Sequence, residues 1–133
     1  MRLPGWEPRL IRYIESEERY PFTWGTHDCL TFVSACCEMV SGVYPMDGVD
    51  MYHTEEEAQE VLRLLGYSDV SEALATHFEE IPPAMARRGD CGVVELRGVV
   101  ASVVVMGAIS YGRSERGLIK FPTRRVTRAF KVG

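Results

Sequence analysis

The stretch "PFTWGTHDCLTFV", residues 21–33, puts Cys29 directly after Asp28 at the start of a run with helical spacing. Cys29, Val33, Cys36 and Val40 recur at intervals of one and two helical turns and form one stripe, which Phe32 and Cys37 widen. Pro21 and Gly25 punctuate the chain just before it. Thr26 or Asp28 can cap the helix, and Gly42 can end it. The spacing therefore predicts a helix from near His27 to about Ser41. Cys29 would sit where unpaired N–H groups and the helix dipole favour a thiolate. The same N–H groups could hold an oxyanion. Three roles are open to it: nucleophile, metal ligand, or first residue of a buried stripe.

Outward from this helix the pattern is helical on both sides. A helix is predicted from about Glu7 to Arg19, with Pro8 at its first helical position and an apolar face of Leu10, Ile11, Tyr13 and Ile14. Residues 43–53 read as a loop with turns at Pro45 and Asp47-Gly48. Thr54 to Glu57 forms a capping box ahead of a third helix, whose face is Ala58, Val61, Leu62 and Leu65 and whose stop is Gly66. Ser71 to Phe78 gives a fourth, shorter helix. "IPPAMARRGD", residues 81–90, is an extended connector, since its prolines exclude helix and central strand.

From Cys91 the pattern changes to β. "CGVVEL", "GVVASVVVMG", "AISYG", "GLIKF" and "VTRAFKV" are short, β-branched and separated by few residues, which implies a mostly antiparallel sheet. Helices first and strands second give an α+β domain, N-terminal helices packed on a C-terminal sheet. One domain is expected over 1–133, helical to about residue 80 and sheet from about residue 89. The stripe of the second helix should pack on that sheet, with Val103 and Val105 on one side and Val104 on the other.

Composition fits this scheme. Of 133 residues, 46% are hydrophobic and 26% charged, the balance of a globular domain. No apolar stretch is long enough to span a bilayer, and the start "MRLPGWEPRL" lacks a signal-peptide core, so synthesis in a host cytoplasm is expected. The four cysteines, Cys29, Cys36, Cys37 and Cys91, read as free thiols of a reducing compartment. They contain no Cys-x-x-Cys pair, so neither a metal nor another cofactor is expected.

The net charge of −4 hides an asymmetry. Charges between Glu15 and Glu80 are nearly all acidic; those after Arg113 are nearly all basic. Arg124, Arg125 and Arg128 form a candidate docking face. A nucleic-acid partner is disfavoured, because these cations lack interleaved aromatics. A catalytic cysteine needs a base, and the histidines are His27, His53 and His77. His27 is the candidate base, or else a residue that shapes the turn. His53 reads as a loop residue, and His77 lies near the end of an amphipathic helix.

Asp28-Cys29 followed by Phe32-Val33 resembles the Asp-Cys-x-x-Phe-Val signature of the NlpC-type papain-like cysteine peptidases, which cut cell-wall peptides. Gly89-Asp90 with "CGVVEL", and "ASVVVMG" from Ala101 to Gly107, resemble the next segments of that family. More closely, the chain resembles a small papain-like family encoded among tail genes of phages and gene-transfer particles. The matching features are Pro21 to Cys29, Tyr52 to Thr54, Pro83 to Asp90, and Ala129 to Val132. Two departures stand out. Leu30-Thr31 replace the usual Ser-Gly, and Ala101 occupies the position of the catalytic histidine, with no histidine after His77. The resemblance implies a papain-like fold with a degenerate site. It further implies a structural or assembly component near the distal tip of a phage-type tail, with hub or baseplate-like tail proteins as partners. The alternative is an active cysteine hydrolase cutting peptidoglycan peptides, with Cys29 as nucleophile and His27 as base. A third class, an anion or nucleic-acid binder, would use the basic C-terminal segment.

Overall fold

The computed structural model describes residues 1–49 and 51–133, so Asp50 of the expected loop lies outside the described residues. Among the described residues four helices come first: α1 (Trp6–Glu17), α2 (Cys29–Ser41), α3 (Glu55–Leu64) and α4 (Val70–His77). Six strands follow: β1 (Glu79–Ile81), β2 (Cys91–Leu96), β3 (Val99–Val105), β4 (Ile109–Ser114), β5 (Gly117–Pro122) and β6 (Arg128–Lys131). They form one antiparallel sheet in the order β1-β6-β2-β3-β4-β5. The α+β class read from the sequence holds.

Local chemistry explains the boundaries. Asp28, not Thr26, caps α2. Its carboxylate accepts from the Thr31 N–H at 2.9 Å, and the Thr31 hydroxyl accepts from the Asp28 N–H at 2.9 Å. That reciprocal box starts the helix at Cys29 rather than at His27. Thr54 caps α3 by accepting from the Glu57 N–H, but Glu57 reaches back to the His53 N–H, so only half of the expected box forms. α1 starts at Trp6, so Pro8 is its third residue rather than its first, still within the first turn, where no N–H is required.

The sheet is covered on both faces. On one side the α2 residues Val33, Cys36, Cys37 and Val40 meet Cys91, Val93, Val104 and Phe130 in the larger core. On the other, Val94, Val103, Phe121, Val126 and Ala129 form a second, smaller core. Val103 and Val104 therefore face opposite sides, as their alternation predicts. Double burial also explains why "VVASVVV" is apolar throughout instead of alternating.

β1 is a strand the sequence reading did not contain. Its three residues, Glu-Glu-Ile, carry almost no local signal and are extended because they pair with β6, Glu80 opposite Phe130. The connector after it, residues 82–90, is extended apart from a 3₁₀ turn at Pro83–Met85.

Candidate functional site

Cys29 is the first residue of α2 and is partly exposed. It lies in a groove of about 610 Å³ together with Trp24, Glu55, Leu62, Tyr67, Val100 and Ser102. The turn before the helix is held in place by Asp28, which is fully buried and accepts from the Gly25 N–H at 2.7 Å. Gly25 has a positive φ of 93°, and a Cβ there would lie 2.2 Å from the Tyr52 carbonyl oxygen. Only glycine fits that approach. Tyr52 is buried, and burial and the Asp28 carboxylate together keep its phenol protonated.

The electrostatics around Cys29 oppose a thiolate. Burial, and secondarily the Asp28 carboxylate, push the thiol up to about 11, against a smaller lowering by backbone N–H groups. Asp28 takes up one N–H of the helix N-terminus as the cap, and its negative charge beside the thiol works against the helix dipole. The feature that promised an activated cysteine thus supplies its own neutralising charge.

No histidine is among the residues lining the groove. His27, the candidate base, does not line the groove. Its Nδ1 lies 3.1 Å from Glu17 Oε1, and its ring stacks on Tyr20 at 4.4 Å between centroids. Glu17 is buried and is also held by the Arg113 guanidinium at 3.0 Å and the Tyr13 hydroxyl at 2.9 Å. His27 therefore shapes the turn, tying it to α1 and β4. His53 and His77 are exposed, and His77 Nδ1 lies 3.0 Å from the Ala73 carbonyl of its own helix.

Ala101 does not face the cysteine. It packs with the second core, on the sheet face away from α2, and pairs with Val94. The residue that faces Cys29 is its neighbour Ser102, whose hydroxyl donates to the Cys29 carbonyl at 3.1 Å. The correction is a shift of one position along β3, which exchanges faces completely. The β3 position that faces the cysteine still carries no base, since a serine hydroxyl cannot take up a proton at neutral pH.

The Gly89-Asp90 segment has a structural role. The buried Asp90 carboxylate accepts from Arg2 at 2.8 Å, from the Arg87 N–H at 2.8 Å and from the Val132 N–H at 3.1 Å. It joins the two ends of the chain to the start of β2. Arg2 also lies over the Trp6 ring, 4.5 Å from its centroid.

The candidate docking residues divide. Arg124 and Arg125 are exposed on a 3₁₀ turn, Thr123–Arg125, between β5 and β6. Arg128 is committed to the fold: it donates to Glu80 at 3.0 and 2.7 Å and to the Ser71 hydroxyl at 2.8 Å, joining β6, β1 and α4. A fork of this kind is geometrically specific, so Arg128, unlike Arg124 and Arg125, has partners within the fold while its side chain stays 38% exposed.

Cys36, Cys37 and Cys91 are buried and free. Burial raises the Cys36 and Cys91 thiols well above their ordinary range. No group of three or more potential metal ligands occurs among the described residues. No helix is long and apolar enough to cross a membrane among those residues.

Two residues that matter here, Ser102 and Glu17, were not singled out from sequence. Ser102 lacked a signal because its strand is apolar on both sides. The Glu17–Arg113 pair spans 96 positions, a separation that local pattern does not register.

Comparison with curated proteins gives no match. Residues 1–132 match the family model described as a domain of unknown function, DUF6950, and the chain belongs to that family.

Proposed function

We propose that this chain is a papain-like, NlpC-type domain with a degenerate catalytic site that serves as a structural or assembly component near the distal tip of a phage-type tail. The observation that carries the non-hydrolytic reading is the pairing of Cys29 with Ser102 in a groove without a histidine. Cysteine catalysis needs a thiolate and a base to make it. Here the thiol is pushed up to about 11, and His27, the candidate base, does not line the groove that holds it. The tail assignment is supported by the ordered resemblance of Pro21 to Cys29, Tyr52 to Thr54, Pro83 to Asp90 and Ala129 to Val132 to the tail-gene family. The partners would be hub or baseplate-like tail proteins.

The test uses particles that lack the gene. Supplying the wild-type chain and Cys29→Ser should restore tail assembly equally, and purified protein should release no fragments from peptidoglycan. Release of cell-wall peptides that Cys29→Ser abolishes would establish the cysteine hydrolase instead. Normal tails without the gene would remove the assembly role.

A further inference from the structure

The two edges of the sheet are built differently. β1 is three residues long, carries Glu79 and Glu80, and is drawn against β6 by the Glu80–Arg128 pair. Short, charged edges resist further strand pairing, and on β5 the same protection is limited to Lys120 and to Pro122 at its last position, which leaves residues 117–121 able to pair. β5 at the other edge has six residues and pairs along its whole length with β4 on its inner side only. The helices pack chiefly over β3, β4, β6 and β1, and β4 is the main neighbour of β5. Alternate residues of such an edge direct N–H and C=O groups away from the sheet.

The exposed charges on β5 and its two flanking turns are mostly of one sign. Arg116, Lys120, Arg124 and Arg125 are all exposed on β5 or beside its two ends, against Glu115 alone. Leu118 and Ile119 are half-buried on opposite faces of the strand. A second copy pairing antiparallel through β5 would bring two such basic clusters together, and like charges across a strand pair are unfavourable. An acidic strand would meet complementary charge and two apolar contacts.

We propose that β5 is a docking edge for an extended, acidic segment of a partner protein, which adds a strand to the sheet. This mode obtains affinity from main-chain hydrogen bonds and selectivity from alternate side chains. It deepens the assembly reading by naming the kind of partner, while its evidence is the edge itself and the charge beside it.

The experiment is titration of the isotope-labelled full chain with acetyl-Val-Glu-Val-Glu-Val-Glu-amide, followed by backbone amide NMR. Two further peptides serve as controls: the same sequence with lysine for glutamate, and the glutamate peptide N-methylated at alternate residues on its pairing edge. The acidic peptide should shift amides of residues 117–121. The lysine peptide should bind at least about tenfold more weakly, as expected where charge complementarity selects the partner. The N-methylated peptide should not bind. Lys120→Glu should reduce acidic-peptide binding without disturbing amides elsewhere in the protein.

Equal binding of the N-methylated peptide would overturn strand addition, as would shifts confined to Arg124 and Arg125. No shift at millimolar peptide, or concentration-dependent self-pairing through β5, would also overturn the proposal. Each result is independent of the peptidoglycan assay, so this inference and the non-hydrolytic reading can fail separately.

Discussion

The Ser102 hydroxyl donates a 3.1 Å hydrogen bond to the carbonyl of Cys29, which places Ser102 on the β3 face toward the cysteine and Ala101 on the opposite face. Replacing Ser102 with alanine should cost about 1 kcal/mol, the usual net value of one such bond, measured by denaturant unfolding. Ala101→His should leave the alkylation rate of Cys29 unchanged, because residue 101 faces the second core. An accelerated rate in Ala101→His would mean that the imidazole reaches the sulfur and that the face assignment is wrong.

Glu17 joins α1, the cysteine turn and β4 through His27, Tyr13 and Arg113. Glu17→Ala leaves the buried Arg113 without its carboxylate and should destabilise by about 3–5 kcal/mol. His27→Ala removes a partly exposed member of the same group and should cost about 1 kcal/mol or less. The two unfolding midpoints, compared side by side, check this ranking. Equal losses would show that the buried Arg113 contact adds nothing to the stability Glu17 draws from His27.

Arg128 is distinct from Arg124 and Arg125. Reversing Arg124 and Arg125 should leave the melting temperature nearly unchanged, whereas Arg128→Ala should lower it. Glu80 is held below the usual carboxylate range by its hydrogen bonds to Arg128. A depressed carboxylate contributes stability that is present above its unfolded value and lost as pH falls through its folded value. The difference between wild type and Arg128→Ala should therefore be largest near neutral pH and close on acidification, as read by calorimetry. A gap that widens in acid would contradict the pairing.

Gly25 combines a positive φ of 93° with an approach that leaves no space for a Cβ. Gly25→Ala should destabilise by about 2 kcal/mol or more and alter the groove beside Trp24. Fluorescence of the Trp24 region and thermal unfolding would register both effects. A variant as stable as wild type would show that the turn relaxes at no cost.

The sequence made the helix at Cys29 legible because its cap, its stripe and its terminal glycine agree with one another. β2 was legible to the residue, since "CGVVEL" is bounded by a polar turn on each side. The phase of β3 was not legible: a strand buried on both faces has no polar alternation, so Ala101 and Ser102 could not be assigned to sides. β1 and the Arg128–Glu80 fork depend on pairing across about fifty positions of chain, which only the folded state brings together. The Asp28-Cys29 dipeptide was legible as a site but ambiguous as chemistry. The same carboxylate that starts the helix also opposes the thiolate.

The most direct test of the non-hydrolytic reading is the pH dependence of Cys29 alkylation in the folded chain, read by mass spectrometry. Cys36, Cys37 and Cys91 are buried and should stay unmodified. With the Cys29 thiol pushed up to about 11, its rate should be slow at neutral pH and climb steadily through the alkaline range without a plateau below that value. A rapid reaction that levels off below neutral pH, and that His27→Ala abolishes, would reveal a thiolate–imidazole pair and contradict the account.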